Sequence, residues 1–378
     1  MKTRSMYKAE RLSVDRISTL PQPILESILS LLPTEEATRT SILSREWRYK
    51  WTTIPNLRFE LRNTTSELTS DIASETKYLD MHDVNQIVLR HQGPIHEVIL
   101  FMNDYLEHYD CFEFDQIILH LSRNHPVKKL ILEGLNGTDN FWYKLPNSVF
   151  ALHHLTDLYL SFFYIDHPSI FNGFRSLRKL DLSDIQISTQ TLLHLLSNCP
   201  SLKTLSLYIW EPGDTCTISE LLKCLPVIED LTMSGDVSEW LVLDSVPQEP
   251  PISLIHLKYL CLSQRCLVER YGSALLLCLL KCSPNLERMY LEMENGLEFS
   301  AVKDEYSDVW LERLNDLQID LCTDSLETEF VKFMLARSPK LKKLTVLTHL
   351  VDRKRESKML KTLLRAPCAS EGVIIYHR

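Results

Sequence analysis

The stretch "LLSNCPSLKTLSL", Leu195 to Leu207, decides the fold. Its first residues read as the end of an apolar helix, which Pro200 stops because proline has no amide hydrogen to extend the ladder. Leu202, Leu205 and Leu207 then follow the spacing L-x-x-L-x-L. The last two alternate with polar neighbours, as in a strand with one buried face. One short unit therefore holds a helix end, a stop and a strand.

The same spacing recurs on both sides, with Ile, Val or Met allowed at the apolar places. It reads "IHEVIL" from Ile95, "VKKLIL" from Val127, "LTDLYL" from Leu155 and "LRKLDL" from Leu177. After Leu202 come "IEDLTM" from Ile228, "LKYLCL" from Leu257, "LERMYL" from Leu286, "LNDLQI" from Leu314 and "LKKLTV" from Leu341. Successive starts lie 22 to 32 residues apart. That is in or beside the period of leucine-rich repeats. Helix-then-proline signals precede several copies: "LLKCLPVI", "LLKCSPNL" and "MLARSPKL". One such unit cannot bury its own apolar face, so neighbours stack into a continuous core. The expected fold is α/β: a solenoid with short parallel strands on the concave face and helices on the convex face. The competing expectation is an α/β fold of unrelated strands and helices.

Composition narrows the chemistry. The chain has 378 residues and a formal net charge of −9. An acidic balance argues against nucleic acid as a partner, which calls for a clustered basic face. No apolar run reaches the roughly 18 residues of a bilayer span. "MKTRSMYKAERLSVDR" lacks the apolar core of a secretory signal, so cytoplasm and/or nucleus is the expected location. The nine glycines form no phosphate-cradling loop, and neither G-x-S-x-G nor H-E-x-x-H occurs. His153-His154 and scattered carboxylates are the only raw material for a hydrolase. No catalytic residue and no cofactor are expected.

Ten cysteines include Cys278-x₃-Cys282 and Cys261-x₄-Cys266. Neither spacing makes paired zinc knuckles, so the reading is reduced, buried thiols, with metal binding as the alternative and no metal ligand expected. The Asn63-Thr64-Thr65 and Asn136-Gly137-Thr138 triplets read as chance sequons. The run "DRKRESK", Asp352 to Lys358, reads as a solvated face or, alternatively, a nuclear import patch.

Within each repeat, residues between the leucines point away from the core. Asp157, Tyr159, Lys179, Asp181, Tyr208, Asp230, Tyr259, Arg288, Tyr290 and Asp316 occupy such positions. Tyrosine and arginine are enriched at binding hot spots. Tyr208, Tyr259, Arg288 and Tyr290 are the expected target-binding residues, with Asp230, Asp316 and Asp320 as acidic neighbours; the alternative is plain solvated strand residues.

The N-terminal part is different. "LPQPILESILSLLPTEEA", Leu20 to Ala37, puts Ile24, Ile28, Leu31 and Leu32 on one helical stripe and Leu25 and Leu29 on the opposite flank. Pro33 ends that helix. Thr34 is expected to N-cap the next, with Glu35 and Glu36 favourable at its positive dipole end. Ser44 is expected to cap a third segment that sets Trp47 and Trp51 one turn apart. Three short helices this rich in Leu, Ile and Trp leave apolar surface for a partner.

Asp15 to about Leu57 resembles the F-box, through "LP" at Leu20-Pro21, "ILSLLP" at Ile28 to Pro33 and "LSREWRYKW" at Leu43 to Trp51. F-box followed by these repeats is similar to the plant F-box/FBD/leucine-rich-repeat proteins. "DVNQIVLRHQGPIHEVIL" resembles their connector, and "FVKFMLARSPKLKKLTV" and "LLRAPCASEGVIIYHR" the two halves of their FBD domain. The resemblance implies a substrate-receptor subunit of a Skp–cullin–F-box ubiquitin ligase, itself not an enzyme. Docking on the Skp-type adaptor, and through it on cullin, would use Leu20, Pro21, Ile24, Ile28, Leu29, Leu32, Pro33, Leu43, Ser44, Trp47 and Trp51. A private helical core is the alternative for the two tryptophans. Thr38, Glu46 and Lys50 depart from the commoner residues of that family, where an apolar, a basic and a Leu or Met side chain are usual. The implied layout is an N-terminal arm (1–14), F-box (15–57), linker and connector helix (58–94), repeats (95–309) and an FBD-like region continuing the solenoid (310–378). A repeat scaffold without ligase work is the alternative function.

Overall fold

A computed structural model describes residues 16–61, 79–102, 111–134, 142–166, 171–209, 213–243, 252–263, 265–267, 269–293, 307–321, 326–348, 361–370 and 372–377. The N-terminal arm, both sequon triplets and the basic run Asp352–Lys358 lie outside them. The chain forms two compact units. One contains residues up to Leu135 together with Pro146–Leu155; the other contains Asn136–Leu145 and everything from Thr156.

The first unit opens with helices α1 (Gln22–Leu29) and α2 (Thr34–Arg39), then 3₁₀ segments Thr40–Ile42 and Trp47–Thr53. Strand β1 (Asn56–Leu61), helix α3 (Met81–Arg90), strand β2 (Glu97–Met102), helix α4 (Cys111–Asn124) and strand β3 (Lys129–Glu133) follow. The strands are parallel, with Leu57 opposite Val98 and Val98 opposite Leu130. The Asp80 carboxylate caps α3 by accepting from the Asp83 N–H at 2.7 Å. Strand β1 spans the expected boundary between the F-box (15–57) and the linker (58–94). "IPNLRF" repeats the solenoid spacing with Ile54, Leu57 and Phe59, none more than 1% exposed.

The second unit has strands β4 (Tyr143–Lys144), β5 (Asp157–Ser161), β6 (Phe163–Ile165), β7 (Lys179–Ile187), β8 (Thr204–Ile209), β9 (Cys216–Thr217), β10 (Asp230–Ser234) and β11 (Leu241–Val242). Then come β12 (Tyr259–Ser263), β13 (Arg288–Met293), β14 (Asp316–Leu321), β15 (Lys343–Thr348) and β16 (Ile374–His377). Its main sheet runs β5-β7-β8-β10-β12-β13-β14-β15-β16, parallel throughout. Helices α5 (Thr189–Ser197), α6 (Ile218–Lys223), α7 (Glu269–Cys282) and α8 (Leu326–Arg337) supply returns between strands. Strands β14, β15 and β16 thus extend the same sheet. Among the described residues no helix is long and apolar enough to cross a membrane.

One hydrogen-bond device repeats along both units. A carbonyl just before one strand accepts from two successive N–H groups before the next. His96 O takes Lys128 and Lys129; Arg178 O takes Lys203 and Thr204; Lys203 O takes Glu229 and Asp230. This fixes the register, so within each unit the apolar positions line up and pack as a stack. In all ten copies of the motif no apolar position is more than 3% exposed. At about 25 cal/mol per Å² of apolar surface, that stack is the main source of stability.

Candidate interaction surfaces

In the first unit, α1 packs on the Trp47–Thr53 segment, and only one of its two apolar faces goes inside. Leu25 and Leu29 are 0% and 2% exposed, whereas Ile24, Ile28 and Leu32 are 40–47% exposed and Leu31 is 84% exposed. Pro21, Pro33, Leu43 and Ser44 are exposed as well, and Leu20 is half-buried. Ile17, Ile42 and Tyr49 add exposed apolar surface that the sequence reading did not assign. Their signal was present in the apolar pair Ile42-Leu43 and in a tyrosine between two tryptophans.

Leu29, Trp47 and Trp51 stand differently from the expectation. All are at most 7% exposed, so they belong to the core behind the open face. Trp47 Nε1 donates to the Ser18 hydroxyl at 2.6 Å, which satisfies the one polar atom of a buried indole. The Trp47 N–H donates to Ser44 Oγ at 3.3 Å, which closes the turn before the 3₁₀ segment; the segment itself starts after Glu46 without a side-chain cap. Thr34 does not cap α2. It is fully buried, and its hydroxyl accepts from the Arg58 N–H at 2.7 Å, tying α2 to β1 instead. Arg39 pairs with Glu35 and Glu36 along α2.

The three departing positions have simple environments. Thr38 donates to the Glu35 carbonyl at 2.7 Å, and Glu46 is exposed. Lys50 reaches Gln22 Oε1 at 3.4 Å. That joins it to a polar network in which Gln22 donates to Glu26 at 3.0 Å and to Thr53 at 2.9 Å. A charged side chain is thereby accommodated where the first helix meets the third segment.

In the second unit the candidate surface is the sheet face opposite the apolar stack. Its first band runs Asp157, Lys179, Thr204, Asp230, Tyr259, Arg288, Asp316 and Lys343, each opposite the next. The second runs Tyr159, Asp181, Ser206, Thr232, Cys261, Tyr290, Gln318 and Thr345. Charges in the first band neutralise one another: Lys343 sits 3.2 Å from Asp316, and Arg288 sits 3.8 Å from Asp230. Just outside that band, Glu229 bridges Lys203 at 2.5 Å and Lys258 at 3.0 Å, which holds its carboxyl down at about 2.

The four expected target-binding residues all lie on this face. Arg288 lays its guanidinium 5.1 Å from the centre of the Tyr259 ring. Burial raises the Tyr259 phenol to about 12. Tyr208 lies across Gly235, whose φ is +80°; a Cβ there would come within 2.4 Å of the ring. Tyr290 is half-buried in the second band. Asp320, expected as an acidic neighbour at the surface, is only 8% exposed. Its neighbours along the register are Glu292 and Leu347, which crowd it.

The thiols are set for packing. Of the described cysteines, Cys199, Cys216, Cys261, Cys266, Cys278 and Cys282 are buried, Cys224 is half-buried and Cys368 exposed. Burial pushes the Cys199 and Cys216 thiols up to about 12, which suppresses the nucleophilic thiolate. Cys282 goes the other way, lowered by a hydrogen bond from Cys278. Among the described residues no group of three or more His, Cys, Asp or Glu side chains is arranged to hold a metal ion.

Comparison with known proteins gives these surfaces a context. Residues 17–59 match the F-box domain family model, and residues 116–248 match that for the LRR repeats of FBD-associated F-box protein At5g56370. The chain therefore carries an F-box match followed by a leucine-rich-repeat match. It is 29% identical to F-box/FBD/LRR-repeat protein At1g13570 of Arabidopsis thaliana, covering 95% of this chain and 97% of the relative. F-box/FBD/LRR-repeat protein At2g04230 of the same plant is 30% identical over 61% of this chain and 50% of its own length. F-box/LRR-repeat protein At3g59210, also from Arabidopsis, is 33% identical over 56% and 44%. A solved structure titled as the Rad7 and Elc1 complex in yeast aligns over 100% of this chain and 98% of that one, at 12% identity and a TM-score of 0.44. The two domain types together indicate a substrate-adaptor type of role.

Proposed function

We propose that this chain is the substrate-recognition subunit of a Skp–cullin–F-box ubiquitin ligase. In this reading the exposed face of α1, with Leu32, Pro33 and Leu43, docks on the Skp-type adaptor, which links the chain to cullin. The open sheet face of the second unit holds a protein target, with Tyr208, Tyr259, Arg288 and Tyr290 as its anchors. The chain contributes position and not chemistry: other subunits transfer the ubiquitin. The 310–378 region acts as the FBD-like end of the solenoid, and the protein works in the cytoplasm and/or nucleus.

The observation that carries the reading is the division of α1. One face is closed by Leu25 and Leu29, while Ile24, Ile28, Leu31 and Leu32 stay open beside an F-box sequence match. Leaving that much apolar surface in water is unfavourable by about 25 cal/mol per Å² and is offset when a partner covers it.

The test is a pull-down of a Skp-type adaptor and cullin with the wild-type chain and with the double variant Leu32→Ala, Pro33→Ala. Adaptor and cullin should both come down with the wild type. The variant should lose them with an unchanged circular dichroism spectrum. Adaptor without cullin would favour an interaction scaffold with no ligase work. Full adaptor capture by the variant would move the dock elsewhere.

A further inference from the structure

Among the described strands of the second unit, two direct register pairs set a tyrosine ring beside a carboxylate, and Arg288 fills one of them. Asp230 and Tyr259 are direct register partners on β10 and β12. Arg288 from the next strand closes over both, 5.1 Å from the ring centre and 3.8 Å from Asp230 Oδ1. A ring face and a carboxylate on adjacent strands make a seat for a cation, since the quadrupole and the negative charge attract it together. Arg288 shows the seat occupied.

Tyr159 and Asp181 are the corresponding pair on β5 and β7, again direct register partners. Opposed residues on adjacent strands hold their Cβ atoms about 5 Å apart, so one cation can touch both. Both side chains are half-buried on the open face. Among the described residues no ion pair and no cation–ring contact involves either. Lys179 precedes Asp181 by two residues and stands in the first band opposite Asp157. Asp181 accepts from the Ser183 hydroxyl at 2.6 Å and from Ser206. Two neutral donors leave a carboxylate with acceptor capacity to spare. Burial raises the Asp181 carboxyl, and its two serine partners only partly oppose that, so an added cation there would be welcome.

We propose that Tyr159 and Asp181 form an open seat for an arginine or lysine side chain of the protein target. This rests on the reading that the open face holds the target, and it adds β5 and β7 to the binding surface. The target segment crossing those strands is accordingly basic. It places its cation against the Tyr159 ring and its charge on Asp181, as Arg288 does within the chain.

The test uses the full-length chain with its adaptor and short labelled peptides of alternating Arg-Ser, Gln-Ser or Glu-Ser, followed by fluorescence anisotropy. The Arg-Ser peptide should bind, more weakly as salt rises, and the other two should not. Asp181→Asn and Tyr159→Ala should each weaken binding about fivefold, while Tyr159→Phe keeps it. Equal binding of Gln-Ser, or an Asp181→Asn variant that binds Arg-Ser as the wild type does, overturns the seat. Asp181→Asn is nearly isosteric, so the test stands even where Tyr159→Ala lowers the melting temperature. Adaptor capture is measured on the same samples. Capture lost with peptide binding kept removes the ligase reading alone; capture kept with no response to Asp181→Asn removes the seat alone.

Discussion

Ile28 and Leu29 are consecutive in α1, yet Ile28 is 42% exposed and Leu29 only 2%. One peptide bond separates surface from core, because successive helical residues are turned about 100° apart. Trimming the two sides should therefore have opposite effects. Leu25→Ala should cost about 2–5 kcal/mol by opening a cavity. Ile24→Ala should change stability by no more than about 0.5 kcal/mol and yet weaken adaptor capture. Urea unfolding and pull-down on the same pair of variants check this.

Trp47 lies in the core behind the open face of α1. Replacing it by Phe keeps most of the packing and removes the donor to Ser18, for an expected loss of about 1 kcal/mol. Trp47→Ala should lose about 3–5 kcal/mol and abolish adaptor capture through unfolding of the helical cluster. Circular dichroism separates the two cases. A Trp47→Ala variant that folds normally and still fails to bind would put the indole on the interface itself.

Gly235 is required twice over. Its φ of +80° suits glycine, and Tyr208 occupies the space a Cβ would need. Gly235→Ala should destabilise by about 1–3 kcal/mol and displace Tyr208. A shifted Tyr208 fluorescence or proton signal, together with a lower melting temperature, is the expected outcome.

The first unit should weaken in acid. His91 is 8% exposed, with Nε2 2.8 Å from the Ile54 carbonyl and Nδ1 3.1 Å from that of Gly93. Its ring centre is 5.9 Å from that of His125, which lies 5.6 Å from His120. Burial, then repulsion from His91 and His120, lowers His125 to about 4. A histidine whose folded value falls below its usual 6.5 contributes nothing above that pH and opposes folding as pH drops through it toward 4. Urea midpoints measured between pH 7.5 and 4.5 should therefore fall more steeply for the wild type than for His125→Asn. Equal slopes would remove His125 from the account.

Most of the fold was legible because its signals are local. A proline after each helix, then L-x-x-L-x-L, announces a strand without knowledge of its neighbours. The first strand was missed although Ile54, Leu57 and Phe59 keep the spacing, because those residues also complete the helical cluster that precedes them. The open face of α1 was visible as a stripe. Which of two apolar stripes stays open was not, since either could have been buried.

The sequence by itself determined the alternation along strands such as β8: Leu205 and Leu207 go in and Ser206 comes out, because backbone geometry sends successive side chains to opposite faces. It also set the repeat length and so the stacking of one strand beside the next. Only the tertiary structure decided who meets whom across that stack. The Thr34 hydroxyl oxygen accepts from the Arg58 N–H rather than capping its own helix, and Arg288 covers Tyr259 and Asp230 while Tyr159 and Asp181 stay open. Such partners lie far apart along the chain; for the strand residues it is the register between strands, fixed by the shared carbonyls, that brings them within reach.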